Sequence, residues 1–243
     1  MYNKAARIIK NSKRVIAFTG AGISVESGIP PFRGKNGLWN KYDPKSFDIN
    51  YFHNNPRESW EIIRDIFYDL FGSVHPNAAH YALAQLEAHS MLSAVITQNV
   101  DHLHQDAGSQ VVHEFHGSLK HLVCLACHEK YAISAIDLNI LPPLCENCSG
   151  ILKPDVIFFG EAIPEPARTH SFNETTRADC FLLIGTTGTV MPANMIPVQA
   201  KQNGATIIEI NPHHSEYTRT ITDIFIKENA TAAMKALMDE IDK

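Results

Sequence analysis

The run Val15-Ile16-Ala17-Phe18-Thr19 passes without a break into Gly20-Ala21-Gly22. Apolar and β-branched residues ending in two closely spaced glycines read as a buried strand delivered into a tight turn. After such a strand, glycines let the backbone approach a pyrophosphate, helped by the dipole of a following helix. The match to the dinucleotide fingerprint is partial, because residue 25 is Val where a third glycine would stand. Alone, the stretch also reads as an ordinary strand-to-helix turn.

Working outward, short apolar strands are expected at 94–97, 111–115, 156–159, 181–184, 206–210 and 223–226. Helical patterns fall at 3–12, 77–89, 100–107, 165–176, 192–203 and 230–242. Alternating strands and helices predict an α/β fold, a parallel sheet with helices on both faces. Two segments break the rhythm. Residues 34–74 are aromatic and polar, broken by Pro44 and Pro56, with a helix expected from Arg57 to Phe71. Residues 119–150 carry four cysteines. Both read as insertions that together form a small domain, leaving 1–33, 75–118 and 151–243 as the large one.

The cysteines form two knuckles, Cys124-x-x-Cys127 and Cys145-x-x-Cys148, separated by 17 residues. That spacing is a four-cysteine zinc ribbon. Four thiolates close the coordination sphere, so the predicted zinc is structural; the alternative is four free buried thiols. Cys180 opens a strand and reads as core.

Polar residues at the ends of parallel strands face the ligand crevice. Gln98 and Asn99 suit ribose hydroxyls. Asp101 suits an amide, or caps the helix that follows. His116, before Gly117-Ser118, is placed for a neutral imidazole acting as base. His102, His104, His113 and His121 read as ordinary surface or core histidines. Gly185-Thr186-Thr187 and Asn211-Pro212 suit the adenosine side of a dinucleotide. The stretch Ser27 to Gly34 reads as a loop over the site carrying Phe32 and Arg33.

The chain has 243 residues, 44% hydrophobic and 19% charged, with a formal net charge of -5. This is the composition of a globular enzyme. A mildly acidic chain argues against nucleic acid as partner. No apolar run reaches the roughly 20 residues of a membrane span, and Met1 to Arg7 holds no signal-like segment. A cytoplasmic location without membrane association is expected.

Together these motifs resemble the sirtuin family of NAD-dependent protein lysine deacylases. The match runs through Gly20-Ala-Gly-Ile-Ser24, Ser27-Gly-Ile-Pro30, Phe32-Arg-Gly34, Thr97-Gln-Asn-Val-Asp101, His116-Gly-Ser118, the four cysteines, Val156-Ile-Phe-Phe-Gly-Glu161, Gly185-Thr-Thr187 and Glu209-Ile-Asn211. The length is similar to that of compact prokaryotic members.

The resemblance implies a Rossmann-like domain with a smaller inserted domain, NAD as co-substrate, and acyl-lysine proteins or peptides as partners of a monomeric enzyme. It implies that the acyl oxygen attacks the nicotinamide ribose and nicotinamide leaves. His116 then serves as general base, giving free lysine and O-acyl-ADP-ribose. Asn99 and Asp101 join His116 as catalytic candidates. Gly20, Ala21, Gly22, Ser24, Ile29, Phe32, Arg33, Gln98, Val100, Thr186, Asn211 and Ala230 are among those implied to contact NAD. Val156, Phe158, Phe159, Gly160 and Glu161 are implied to hold the acyl-lysine.

Members that remove succinyl groups carry Tyr-x-x-Arg on the acyl-pocket helix. Ungapped alignment from Trp60 puts Ile63 and Ile66 there, which predicts neutral acyl groups; Arg64 stands one residue from this register. Alternatives are a protein ADP-ribosyltransferase using the same site, a catalytically idle zinc-ribbon binding module, and an NAD-dependent dehydrogenase.

Overall fold

The computed structural model describes residues 1–34, 37–70 and 74–243. In chain order the strands are β1 Val15–Thr19, β2 Ala94–Thr97, β3 Val112–Glu114, β4 Gly117–Cys124, β5 Lys130–Ala132, β6 Leu152–Val156, β7 Cys180–Ile184, β8 Thr206–Ile210 and β9 Ile224–Ile226. The α-helices are α1 Tyr2–Asn11, α2 Ile49–Asn54, α3 Pro56–Ile63, α4 Ala78–Ala88, α5 Leu103–Asp106, α6 Ala167–Arg177, α7 Met195–Gln202 and α8 Ala230–Ile241.

Six strands form one sheet in the order β3-β2-β1-β7-β8-β9, and every pair is parallel. Counting only these six, the order is that of Rossmann dinucleotide-binding folds, with its reversal between β1 and β7. The alternation inside β1 explains the two covered faces. Val15 and Ala17 pack with Ala6 and Ile9 of α1, Leu83 and Leu86 of α4 and Met234 and Leu237 of α8. Ile16 and Phe18 point the other way, to a cluster with Ile196 and Ala200 of α7 and Phe172 of α6. A strand buried at every position and apolar from Val15 to Phe18 is what burial on both faces requires. Each fully buried large side chain here contributes roughly 1.5–3 kcal/mol.

A second sheet, β5-β4-β6, is antiparallel. The strand expected over 156–159 lies earlier, at Leu152–Val156. Pro154 is tolerated because β6 is an edge strand of this sheet. Beyond Val156 the chain turns, and Phe159 makes only an isolated bridge to Asp48. The helix expected from Arg57 runs from Pro56 to Ile63 and widens into π-helical turns over Arg64–Leu70. Phe71, its last expected residue, lies outside the described residues. The helix expected at 100–107 is shorter, because His102 takes a left-handed φ of 66° and the helix begins at Leu103.

A third apolar cluster joins Phe47, Phe52, Trp60, Ile63, Ile66 and Phe67 from the first insertion to Leu122, Cys124, Cys145, Leu152, Val156 and Phe158. Trp60 Nε1 donates to the Leu152 carbonyl at 2.8 Å, tying α3 to β6. Among the described residues, no helix is long and apolar enough to cross a membrane.

Candidate active site and metal centre

The turns after β1 and β7 meet at the strand-order reversal. A Cβ on Gly22 would lie 2.5 Å from Gly185 Cα, and one on Gly185 would lie 2.4 Å from Ile23 N. Only glycine at both positions lets these backbones close up. The Gly20 and Gly22 amides donate to the Ile184 and Gly185 carbonyls at 3.0 and 2.9 Å, so these two glycines first serve to knit the floor of the crevice. A 3-10 turn over Ala21–Ser27 follows and ends at Gly28, which is left-handed.

The strand ends cluster here as the sequence implied. Gln98 Nε2 donates to Thr186 Oγ1 at 3.0 Å, and Asn211 Nδ2 donates to the Thr186 carbonyl at 2.9 Å. The ends of β2, β7 and β8 are thereby joined. Ile29 is buried in one cluster with Val100, and the Phe32 ring lies 5.1 Å from Trp39. Arg33, Thr187 and Pro212 are exposed, and Ala230 is buried at the start of α8. That helix leans on the Ala21–Ser27 turn, with Glu26 accepting from Thr231 N and Oγ1.

Below the crevice lies a polar network. Ser24 Oγ donates to Asp101 Oδ2 at 2.7 Å and accepts from Asn99 Nδ2 at 3.1 Å. Asp101 Oδ1 also accepts from Leu103 N at 3.1 Å, so the carboxylate both anchors the start of α5 and holds Ser24. Burial, first of all, raises the Asp101 pKa, and the Ser24 hydroxyl partly offsets this.

His80, which the sequence reading passed over, completes the chain: its Nδ1 accepts from Asn77 N at 3.3 Å, and its Nε2 stands 3.4 Å from Ser24 Oγ. With Nδ1 accepting, the neutral ring carries its proton on Nε2 and points it at Ser24. The local signal was Asn77-x-x-His80 ahead of an apolar run, a capping-box pattern. His104, read as an ordinary histidine, packs edge-on to His80 at 4.9 Å and contacts Thr19 Oγ1 at 2.9 Å.

Two buried neutral histidines make stability sensitive to acid. Burial lowers the His80 pKa from 6.5 to about 4 and lowers that of His104 well below 6.5. A histidine with a depressed folded-state pKa contributes its full stability above the unfolded value, and loses it as pH falls toward the folded value. For His80 the loss runs from pH 6.5 to about 4 and reaches roughly 3 kcal/mol at about 1.4 kcal/mol per unit. Asp101 shifts in the opposite sense, so the readout is the difference between proteins. Urea unfolding near pH 7.5 and near pH 5 should show a drop about 2 kcal/mol smaller in His80→Gln than in the parent; equal drops would refute it.

His116 sits where the two sheets meet. Its Nδ1 lies 3.1 Å from the Gln98 carbonyl. A carbonyl only accepts, so Nδ1 carries the proton and Nε2 holds the lone pair. Burial lowers the His116 pKa below 6.5, partly opposed by that hydrogen bond, so the ring is neutral at pH 7. The adjacent Gly117 has φ +81°, and a Cβ there would lie 2.1 Å from the Asp155 carbonyl oxygen. The His116 carbonyl accepts from Ile157 N at 2.9 Å, coupling this histidine to the segment after β6.

That segment holds the residues implied for the acyl-lysine. Val156 and Phe158 are buried with Ile63 and Ile66, while Phe159 is 45% exposed. Phe159 N donates to the Phe47 carbonyl at 2.8 Å, and the Phe159 carbonyl accepts from Ile49 N at 3.0 Å. Gly160 is left-handed, with φ +92°. The Glu161 carboxylate turns inward, accepting from Phe158 N at 2.7 Å and lying 3.0 Å from Lys153 Nζ. Arg64 turns toward Asp69 at 3.8 Å and the Leu138 carbonyl at 3.4 Å.

The four cysteine sulfurs lie within 4.8 Å of one another. Cys124 and Cys148 are 3.5 Å apart, and Cys127 and Cys145 are 3.6 Å apart. A disulfide would require about 2.05 Å, whereas Zn–S bonds of about 2.3 Å place tetrahedral sulfurs about 3.8 Å apart. The donor set and spacing fit one structural zinc. Tyr131 Oη lies 3.1 Å from Cys145 Sγ.

A Rossmann crevice carrying a half-buried carboxylate, a neutral histidine and a four-cysteine cluster fit for zinc defines a dinucleotide-using enzyme with a zinc-ribbon module. The model of the Sir2 family matches residues 20–192. The chain is 43% identical to NAD-dependent protein deacetylase 1 of Pyrobaculum aerophilum, over 98% of this chain and 94% of that protein. It is 42% identical to NAD-dependent protein deacylase 2 of Archaeoglobus fulgidus, over 99% and 96%. Among solved structures, a Sir2 homologue–NAD complex superposes with a TM-score of 0.91 at 38% identity, covering 98% of this chain and 93% of that one. The chain belongs to the Sir2 family. It is an enzyme of the NAD-dependent protein deacetylase and deacylase class, with NAD as its co-substrate.

Proposed function

We propose that this enzyme removes acetyl and other neutral acyl groups from protein lysines, yielding nicotinamide and O-acyl-ADP-ribose, with His116 as general base. One observation carries this reading. His116 holds its proton on Nδ1 against the Gln98 carbonyl, leaving Nε2 to accept a proton where the dinucleotide crevice meets the 156–161 segment. Bound NAD supplies the ADP-ribose acceptor and the nicotinamide leaving group.

The chain's own residues do the rest. Gly20, Ala21, Gly22 and Arg33 line the phosphate side; Gly185, Thr186, Thr187, Asn211, Pro212 and Ala230 line the adenosine side. Gln98 and Asn99 orient the nicotinamide ribose. Ser24, Val100 and Asp101 hold the nicotinamide amide with Ile29 against its ring. Phe32 shields the reacting carbon from water. Val156, Phe158, Phe159 and Gly160 hold the acyl-lysine stem and peptide backbone, with Ile63 and Ile66 as the end of the acyl pocket; Glu161, expected beside them, has its carboxylate turned inward to Lys153 and Phe158 N.

In this reading the chain divides into 1–33, 75–118 and 151–243 against 34–74 and 119–150. One apolar cluster joins the two insertions and also takes in Ile29, Val100 and Phe158 of the larger unit, and residues 152–156 cross over to pair with the smaller sheet. The enzyme acts as a cytoplasmic monomer, without nucleic acid or membrane. Solved Sir2 structures with acetylated peptide support a peptide substrate.

The neutral-acyl preference follows from Ile63 and Ile66, both fully buried in apolar surroundings. Arg64, the cation one residue from this register, is turned to Asp69 and the Leu138 carbonyl, and the buried Lys153 is already paired with Glu161; an unpaired buried carboxylate is costly. One peptide carrying acetyl-, succinyl- or decanoyl-lysine, incubated with and without NAD and read by mass spectrometry, tests this. NAD-dependent acetyl loss is expected at least about 100-fold faster than succinyl loss, the ratio for roughly 3 kcal/mol. Preferred succinyl loss would overturn the pocket assignment. Label passing from NAD to protein without acyl loss would favour ADP-ribosyl transfer.

A further inference from the structure

Lys153 projects from β6 into the protein, where it is 6% exposed. Its ammonium lies 2.7 Å from the Val156 carbonyl, 3.0 Å from the Pro154 carbonyl and 3.0 Å from Glu161 Oε2. An ammonium has three N–H donors, and these contacts match them one for one. The same nitrogen stands 4.3 Å over the Phe158 ring. Glu161 Oε2 in turn accepts from Phe158 N, and the Glu161 amide donates to the Phe158 carbonyl at 3.0 Å.

Lys153 therefore grips both ends of the turn that begins at Val156 and ends at Glu161, and packs against its central ring. The outer side of that turn is held through Phe159, by Phe47 and Ile49. The segment carries a left-handed glycine, and beyond Val156 it keeps one backbone bond next to β4, from Ile157 N to the His116 carbonyl. Its course depends on these few contacts.

We propose that Lys153, through its ion pair with Glu161, is a positioning residue that shapes the 156–161 segment and sets the affinity for the acyl-lysine peptide. This rests on the reading above, in which that segment holds the peptide. Glu161 acts from the interior side of the segment, with its carboxylate turned to Lys153 and Phe158 N. Removing the ammonium leaves a carboxylate and two carbonyls without their cation, and the segment populates other courses. A site formed in one molecule of ten binds about tenfold more weakly. The crevice holding NAD is built from the ends of β1, β2, β7 and β8 and does not share these contacts.

The test uses the full chain with Lys153→Met, Glu161→Gln and the double variant. Acetyl-peptide and NAD affinities are measured separately by calorimetry, with KM and kcat for acetyl-peptide turnover. Lys153→Met should raise peptide Kd and KM about tenfold or more, with NAD affinity unchanged and kcat changed less than about threefold. Glu161→Gln should raise peptide KM in the same way, and the double variant should be no worse than the worse single, since both break one linkage. Peptide KM within twofold of the parent in both single variants would overturn the proposal. So would parallel loss of NAD affinity, which marks a general structural defect. If Lys153→Met fails to fold, the Glu161→Gln peptide KM decides alone. Failure of the underlying reading looks different: the parent enzyme itself would then show no acetyl-peptide turnover.

Discussion

His116→Ala should lower the rate of NAD-dependent deacetylation by about 10²–10⁴-fold, the range for loss of a positioned general base. The fold should persist. The ring is held by one hydrogen bond to the Gln98 carbonyl, and the left-handed turn beside it belongs to Gly117. Affinity for NAD and for acetyl-peptide should change little, because a general base acts on a proton that leaves during reaction and contributes little to ground-state binding. The parent should also keep its kcat from about pH 8 down to about 6.5, because burial lowers the His116 pKa below its ordinary value of 6.5. Rates and calorimetry on the purified variant check both parts. A loss below about tenfold with intact binding would remove His116 from the role of base; equal losses of binding and rate would make it structural.

Much of this site could be read from the chain because its residues stand at strand ends. Gly20, Gln98, His116, Gly185 and Asn211 each follow a short apolar run, and a Rossmann sheet collects such ends on one edge. Asp101 was given two readings, amide partner or cap; the structure gives it a capping contact to Leu103 and a partner in Ser24. His80 was less legible. Its meaning depends on Ser24, 56 residues earlier, and a histidine in a helix announces no partner at that range. Lys153 fell outside the apolar strand expected at 156–159, because the chain turns inward at a lysine and a proline that no apolar run marks. Once β6 is an edge strand, the proline is harmless and the lysine side chain turns inward. Glu161 was legible as part of a motif, but which way its carboxylate turns depends on Lys153.

The zinc ribbon carries the other large effect. Removing the metal, or substituting Cys145→Ser, should unfold the smaller sheet and abolish deacylation. Cys124 and Cys145 are buried, and Gly150 has no room for a side chain because a Cβ there would lie 2.8 Å from Cys124 Sγ. Little else holds the outer part of this module. Ile140 and Leu144 are exposed, and among the described residues from Ile136 to Ile151 there is no helix or strand longer than a bridge. A four-cysteine zinc contributes on the order of 10 kcal/mol to folding, comparable with the whole stability of an ordinary domain.

The damage would not stay local. Cys124, Cys145 and Leu152 share one apolar cluster with Trp60, Ile63 and Phe158, and Trp60 is hydrogen-bonded to the Leu152 carbonyl. Loss of the ribbon therefore should loosen β6, the segment after it and the apolar cluster around Ile63 and Ile66 together. The crevice between β1 and β7 lies in the other sheet, so residual NAD binding should outlast peptide binding as zinc is withdrawn. Metal analysis should find about one zinc per chain in active protein. Chelation followed by circular dichroism, NAD titration and peptide titration should show peptide affinity lost first. Full activity in folded protein with no zinc, or an unchanged melting temperature in Cys145→Ser, would refute the metal's structural role.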